Sequence, residues 1–328
     1  MEKQYRKVKK YLSIIDSQRI SNVSDIQDIS ICPCDYKQSN TPPALSDFKP
    51  FKSGEVWGSG NDTHAWFHFE LNIPEHMQGK PIRLIVKTDK TGWDAGNPQF
   101  IAYIDGVMRQ GLDTNHTYVT LDSSAHHDVY IYGYTGAEIP SARFFAQLAN
   151  VNTDCDQLYY DIIVPFQMLD YLQTNSREYA EILKYLDMTV SRLDLFEVGS
   201  PEFFESVKDA RAFINDEFYG RFCTTERGLD TPTTIGIGHT HIDCAWLWTL
   251  KQTREKVQRS FSTVLELMDR YPEYKFMSSQ ALLYKDLKEE APEVYERVKD
   301  RIKDGRWECE GAMWVEADCN LTSGESLV

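Results

Sequence analysis

The spacing of hydrophobic residues changes several times along the chain, and each spacing predicts a different kind of element. Residues 1–20 have helical spacing, with an apolar face that consists of Tyr5, Val8, Tyr11, Leu12 and Ile15. From about residue 25 to 152, apolar and polar residues alternate in short runs separated by Gly, Pro and Asn. Regular short strands of this kind predict a β-sandwich, and Asp105-Gly106 between two apolar runs predicts a tight hairpin turn.

Helical spacing returns between about residues 155 and 225, which predicts amphipathic helices that connect the sandwich to a further domain. The last hundred residues then alternate between strand and helix. The predicted elements are a strand at 233–238, a helix at 252–270, a strand at 274–279, a helix at 292–304 and a strand at 307–315. This β-α-β-α-β order indicates parallel strands at the start of an α/β barrel or open sheet.

These patterns predict a multidomain protein. The predicted parts are an N-terminal helix at 1–22, a β-sandwich at 23–153, a helical linker at 154–230, and the start of an α/β catalytic domain at 231–328. A length of 328 residues exceeds one typical domain, and a hydrophobic content of 41% can build more than one core.

Charge and cysteine content narrow the class of protein. The net charge of −15 argues against a nucleic-acid partner and against an anionic membrane surface. No segment reaches the roughly 18 uninterrupted apolar residues of a membrane span. The seven cysteines are odd in number and scattered, and no apolar run follows the basic N-terminus. We therefore expect a cytoplasmic protein with free thiols.

Metal-binding side chains cluster where the first predicted strand of the last segment ends. His239, His241 and Asp243 follow that strand at alternate positions. Since alternate residues of an extended chain point the same way, His241 and Asp243 can present a nitrogen and an oxygen to one point. Such mixed ligands at a strand end suit Zn²⁺ or a related divalent ion. The alternative is a chance cluster of histidines in a core or on the surface.

Aromatic and acidic residues accompany this cluster. Trp246 and Trp248 follow it and supply flat apolar faces on which sugar rings or aromatic ligands can pack. Glu316 and Asp318 lie at the end of the third predicted strand. Because the ends of parallel strands meet at one edge of a sheet, the spacing permits either carboxylate to take part in a site there.

Two of these segments resemble active-site motifs of the glycoside hydrolase family 38 α-mannosidases. His241-Ile242-Asp243 with Trp246 is similar to the family's first motif, and the segment 307–320 is similar to its nucleophile region, with Asp318 in the nucleophile's place. The motifs lie in the family's order, and the β-rich and helical regions before them resemble the bacterial and cytosolic branch. The resemblance implies a (β/α)7-type barrel, of which this chain holds the first part.

The resemblance also implies a mechanism. His241, Asp243 and Asp318 would bind the ion, most simply Zn²⁺, and Asp318 would also be the nucleophile of a retaining exo-α-mannosidase. Trp246 would pack on the terminal sugar of a mannose-containing oligosaccharide. A homo-oligomer is also compatible with the sequence. In this family another metal-binding His and the acid/base Asp come from later strands, and no His follows His241 here. We therefore expect the isolated 328-residue chain to be inactive.

Two other functions are compatible with parts of the sequence. His-x-His at the end of a first barrel strand also resembles metal-dependent amidohydrolases, which cleave C–N bonds with further ligands from later strands. A non-catalytic fragment could instead bind glycans through sandwich aromatics such as Trp57, Trp66 and Trp93, although such side chains more often belong to a core. Two further sets of side chains are interpreted as surface residues: the sandwich histidines, and the basic residues of the 252–270 helix region, Lys251, Arg254, Lys256 and Arg259.

Overall fold

The structure is a computed structural model that describes residues 1–36, 40–60, 62–91, 98–136, 139–225, 234–311 and 313–316. The chain divides into two compact units. The first unit contains Met1–Val23, Gly79–Arg83 and Ala149–Thr234. The second contains Ser24–Gln78, Leu84–Leu148 and Ile235–Val328. The predicted sandwich region and the predicted catalytic segment therefore lie mainly in the same unit.

The first unit is built mainly from helices. They are α1 (Glu2–Ser17), α2 (Thr153–Met168), α3 (Arg177–Val190), α4 (Pro201–Phe213), a π-helix (Ile214–Phe222) and the short α5 (Cys223–Thr225). The side chains of Asn152, Ser176 and Ser200 cap the N-termini of α2, α3 and α4, because each accepts a hydrogen bond from a backbone amide of the first turn. Val8 and Leu12 of α1 are buried in the core that these helices share, which confirms the predicted N-terminal helix.

The sandwich region consists of short strands, as predicted. They are β1 (Ile20–Asp25), β2 (Ile29–Cys34), β3 (Lys49–Phe51), β4 (Val56–Trp57), β5 (His64–Asn72), β6 (Ile82–Lys87), β7 (Gln99–Ile104), β8 (Val107–Leu112), β9 (Tyr118–Leu121), β10 (His126–Tyr134), β11 (Ala142–Arg143) and β12 (Phe145–Val151). One sheet has the order β3-β2-β5-β10-β7-β8, another the order β1-β12-β6-β9, and β11 pairs with β4. Asp105 and Gly106 both have positive φ angles, of 54° and 78°, which confirms the predicted hairpin turn between β7 and β8.

Burial confirms the core interpretation of two sandwich tryptophans and shows that the surface interpretation of two sandwich histidines is wrong. Trp57 and Trp66 are buried, so neither can form an exposed platform for a sugar, and Trp93 lies outside the described residues. His64 and His127 are also buried. Their burial is tolerated because each ring has a nitrogen in contact with a carboxylate. Local alternation could not distinguish these positions, since both faces of the central strands β5 and β10 are covered along part of their length.

The C-terminal segment contains parallel strands joined by helices. Its elements are β13 (Gly238–His239), α6 (Leu250–Arg270), β14 (Phe276–Ser278), α7 (Ala281–Glu290), α8 (Pro292–Lys303) and β15 (Trp307–Cys309). The strands pair in parallel in the order β13-β14-β15, as the sequence predicts. The connection from β14 to β15 holds two helices rather than one, so the β-α-β-α-β order is wrong there. Closure of the sheet into a barrel stays a prediction.

One hydrophobic core joins the sandwich sheet to the C-terminal segment. Trp66, Ile101 and Tyr132 of the sandwich belong to the same buried cluster as Phe261 of α6 and Trp307 of β15. Removal of this much apolar surface from water couples the two regions energetically. The sandwich is therefore a structural part of the unit that carries the predicted motifs.

Helix α6 also buries polar and charged side chains against the sandwich. Glu255 is completely buried and accepts a hydrogen bond from the Tyr132 hydroxyl at 2.7 Å. Lys256 is 7% exposed and donates to Gln99 at 2.9 Å. The interpretation of α6's basic residues as a solvated face is therefore wrong for Lys256, and also for Arg259, which pairs with buried Asp113.

Asp113 shows the electrostatic consequence of this packing. Burial acts to raise the pKa of Asp113, but hydrogen bonding to His116 and the charge of Arg259 outweigh it, and the pKa falls to about 2. The carboxylate therefore stays ionised opposite Arg259.

Within the described ranges no helix combines the length and apolar character needed to cross a membrane.

Candidate metal centre

The carboxyl ends of the parallel strands place His241 between two carboxylates. His241 follows β13 by two residues, and its Nε2 lies 3.0 Å from Oδ1 of Asp243. Its Nδ1 lies 3.0 Å from Oε2 of Glu316, beyond the end of β15. The Ser279 hydroxyl, directly after β14, donates to the same Glu316 oxygen at 3.2 Å. All three strands thus contribute to one cluster, as the parallel order predicts.

The electrostatics of this cluster are those of a histidine between negative charges. Partial burial lowers the pKa of His241, but the hydrogen bonds to Glu316 and Asp243, together with their charges, raise it by more. The net pKa of His241 therefore lies above its usual value. The three side chains remain between 36% and 47% exposed, so the cluster is open to solvent and to a ligand.

The donor set fits a divalent ion at His241 and Asp243. Two ligands of one zinc ion lie roughly 3.0–3.5 Å apart, since each bond is about 2.0–2.2 Å long. The observed 3.0 Å between Nε2 of His241 and Oδ1 of Asp243 is a hydrogen-bond contact whose length already falls in this range. Glu316 occupies the position of a carboxylate that orients a metal-binding imidazole through its second nitrogen. Asp318, the third predicted ligand, lies outside the described residues.

His239 takes a different role from its neighbour. Its Nδ1 donates to the carbonyl oxygen of Met277 in β14 at 3.0 Å. This bond links the side chain to the adjacent strand. His239 thus bonds to the backbone of β14, whereas His241 contacts Asp243, and metal binding by that pair stays a prediction.

Trp246 and Trp248 form an aromatic pair beside this cluster. Their ring centroids are 5.7 Å apart with the planes at 87°, and Trp246 remains 55% exposed. The indole N–H of Trp248 donates to Thr253, and the Lys256 ammonium lies 4.4 Å from the centre of its ring. Trp248 is thus fixed by α6, and Trp246 is exposed beside it.

Another acid–histidine group lies on the sandwich, where the sequence analysis expected only surface histidines. Ligand atoms of Asp105, Asp122 and His127 lie within 4.8 Å of one another. Asp105 already accepts hydrogen bonds from the His127 ring at 2.8 Å and from the amide of Asp128 at 2.9 Å. Asp122 accepts a bond from the amide of Ser124. These contacts stabilise the adjoining turns, which accounts for the cluster without an ion.

Comparison with known proteins identifies two regions of the chain. Residues 231–328 match the model of the glycosyl hydrolases family 38 N-terminal domain. Residues 25–153 match the model of an alpha-mannosidase jelly roll domain. The first match covers the candidate metal centre, and the second covers the sandwich strands.

Curated relatives match over most of this chain. An alpha-mannosidase of Saccharomyces cerevisiae is 40% identical, alpha-mannosidase 2C1 of Homo sapiens 31%, and alpha-mannosidase G of Dictyostelium discoideum 29%, each over 86% of this chain. The chain spans only about a quarter of the length of these relatives, namely 26–27%. The two models and these relatives together show that residues 231–328 carry the N-terminal domain of the family 38 glycosyl hydrolases and that residues 25–153 carry a jelly roll domain of the kind found in alpha-mannosidases.

Proposed function

We propose that the protein is a metal-dependent, retaining exo-α-mannosidase that hydrolyses terminal α-mannosides of oligosaccharides. The observation that carries the proposal is the 3.0 Å approach of His241 Nε2 to Asp243 Oδ1 at a strand end. The names of the curated relatives support the substrate class. We further propose a cytoplasmic location, which the free thiols of the cysteines in the described ranges support.

His241, Asp243 and Asp318 would hold the ion, which we propose to be Zn²⁺. When bound, the ion supplies a positive charge that can attract hydroxyl oxygens of the sugar and orient the ring. Glu316 would hold the His241 ring through Nδ1, leaving Nε2 to face the ligand position. The proton on Nε2 must leave before the nitrogen can act as a ligand.

Asp318 would act as the nucleophile. Its carboxylate attacks the anomeric carbon while the glycosidic C–O bond breaks, and a second carboxylic acid gives its proton to the leaving oxygen. In the second half, that carboxylate removes a proton from water, the water oxygen attacks the anomeric carbon, and Asp318 is released. Two inversions at the same carbon retain the α-configuration.

Trp246 would bind the apolar face of the terminal sugar. Its exposed indole, held at a fixed angle by Trp248, offers a rigid surface beside the metal-binding pair. A flat apolar surface can bury the C–H groups of a pyranose while the hydroxyl groups face the polar side chains.

The stereochemistry of an aryl α-mannoside hydrolysis tests the proposal. The longest natural form of the protein is expected to release mannose whose first detectable anomer is α, as followed by proton NMR before mutarotation. An aryl β-mannoside at the same concentration is the matched control and is expected to remain intact. Release of the β-anomer first would contradict the retaining mechanism, and absence of hydrolysis of both substrates would contradict the activity.

A further inference from the structure

The backbone of the loop that carries the metal-binding pair contains a strained residue. We define the metal loop as residues 241–249, between β13 and α6. Ala245 in this loop has a φ of +75°, a left-handed conformation that is strained for a non-glycine residue. Ala245 is exposed, so packing of its own side chain does not offset that strain. Other contacts must hold the metal loop in this shape.

The hydroxyl of Thr253, in the first turn of α6, supplies several of these contacts. Its oxygen accepts hydrogen bonds from the backbone amide of Ala245 and from the indole N–H of Trp248, both at 3.2 Å. The carbonyl oxygens of Asp243 and Thr249 lie 3.4 Å away as acceptors for its proton. A hydroxyl can accept two hydrogen bonds and donate one. The contacts with the metal loop therefore use the full hydrogen-bonding capacity of the Thr253 hydroxyl. Thr253 is only 1% exposed, and water cannot easily replace these bonds.

Gln280, which directly precedes α7, holds the same loop from the other side of β14's end. Its side-chain amide donates to the carbonyl oxygen of Ile242, between the two predicted ligands, at 3.0 Å. Gln280 is 3% exposed and itself has a φ of +69°. Strained residues persist where their surroundings determine their conformation, and they concentrate at functional sites. Strain therefore occurs both within the metal loop and at one of its anchors.

The anchor on α6 is itself fixed to the sandwich. The Gln252 side chain, one residue before Thr253, donates to the carbonyl oxygen of Thr135 at 3.2 Å. Glu255, two residues after Thr253, accepts the hydrogen bond from Tyr132. Both α6 side chains are buried. The first turn of α6 thus has a fixed position against the sheet. The hydrogen bonds of Thr253 hold the metal loop in a fixed position relative to that turn.

We propose that Thr253 and Gln280 are positioning residues that hold His241 and Asp243 in the geometry required for binding a divalent ion. This inference rests on the proposed function, because it assumes that the ion binds at this pair. Neither side chain would contact the ion. Their contribution is to keep the loop in its strained shape before the ion arrives, so that little binding energy is spent on ordering the loop.

Zinc affinity of the longest natural form of the protein tests the role of Thr253. Thr253→Val keeps the shape of the side chain but loses the hydroxyl, and it is expected to weaken Zn²⁺ binding about tenfold in a competition titration with a chromogenic chelator. Thr253→Ser restores the hydroxyl and is expected to stay within about threefold of the unchanged protein. Gln280→Met is expected to behave like Thr253→Val.

Thr263→Val is the matched control. Thr263 lies on the same helix and its hydroxyl accepts a bond from the amide of Gly111, away from the metal loop. This substitution is expected to lower thermal stability as Thr253→Val does, without changing Zn²⁺ affinity. Hydrogen exchange at the indole N–H of Trp248, which donates to Thr253 at 3.2 Å, provides a second readout in the metal-free protein, and only Thr253→Val is expected to accelerate it.

The outcomes separate the two proposals. Equal Zn²⁺ affinity in the unchanged protein and Thr253→Val, or an equal loss in Thr263→Val, would overturn the positioning role alone. An unchanged protein that binds no Zn²⁺ would overturn the proposed metal site and, with it, this role. Tenfold weaker binding confined to Thr253→Val and Gln280→Met, with recovery in Thr253→Ser, would support it.

Discussion

Replacing His241 with alanine is expected to lower α-mannoside hydrolysis by at least about 10³-fold and to remove bound zinc. A metal ion acting on substrate oxygens contributes several kcal/mol to transition-state stabilisation, and about 4 kcal/mol corresponds to that factor. The loss should appear in kcat as well as in KM, since the ion would orient the sugar throughout the reaction. Metal analysis of the purified variant would measure zinc content beside the rate.

His239→Ala is the control for this substitution. It removes an imidazole two residues away that is also exposed, but one whose Nδ1 donates to the backbone of Met277. It is expected to retain zinc and most of the activity, with a modest loss of stability from the missing hydrogen bond. Zinc retained by His241→Ala, or lost equally from both variants, would contradict the assignment of His241.

Replacing Asp318 with alanine is expected to lower hydrolysis by on the order of 10⁴–10⁶-fold, because the covalent step loses its nucleophile. Added azide is expected to restore part of the turnover and to yield a β-mannosyl azide. A small anion can occupy the space of the missing carboxylate and attack the anomeric carbon once, which inverts the configuration. The inverted product distinguishes a variant that has lost its nucleophile from one that has lost the ion, because azide can attack the anomeric carbon but cannot restore the bound ion.

Glu316→Gln provides the comparison that distinguishes the two neighbouring carboxylates. Glu316 accepts a hydrogen bond from the His241 ring, and its loss is expected to cost about 10–100-fold in metal affinity or activity, as for other groups that orient a ligand. Azide should not accelerate this variant. Rescue by azide at Glu316 and not at Asp318 would reverse the assignment of the nucleophile.

Local sequence patterns were sufficient for the elements that have clear start and stop signals. The alternating run around Phe67 corresponds to β5, and the helical face around Leu12 corresponds to α1. Helix α6 begins with Thr249 and Gln252, whose side chains form a capping box, and ends just before Tyr271-Pro272. In each case hydrophobic period and end signals agree, so the chain has one locally consistent conformation.

The sequence does not predict helix α7, because these signals are absent from its start. Gln280 precedes it with a positive φ, and no side chain caps its first turn. The helix has 10 residues and is followed at once by Ala291-Pro292, where α8 begins. The end of β15 was also placed too late, since the strand stops at Cys309 and Gly311 has a φ of +74°. Short elements with irregular ends give little periodic signal.

The candidate site was predictable in part. Strand ends and alternation are sufficient to pair His241 with Asp243. The roles of Thr253 and Gln280 depend on tertiary contacts of their side chains with the metal loop, which no local pattern predicts. Burial of Glu255 against Tyr132 joins residues 123 positions apart, and no local pattern carries that information. A charged residue on an amphipathic helix usually faces water, so its burial becomes evident only when the sandwich is placed against α6.

Removal of the metal from the longest natural form of the protein tests the central claim most directly. After dialysis against a chelator, hydrolysis of an aryl α-mannoside is expected to fall to background and to return when about one equivalent of Zn²⁺ is added. His241→Ala treated in the same way should not recover. Full turnover by the chelator-treated, metal-free protein, or equal recovery of His241→Ala, would contradict a metal-dependent site at His241 and Asp243.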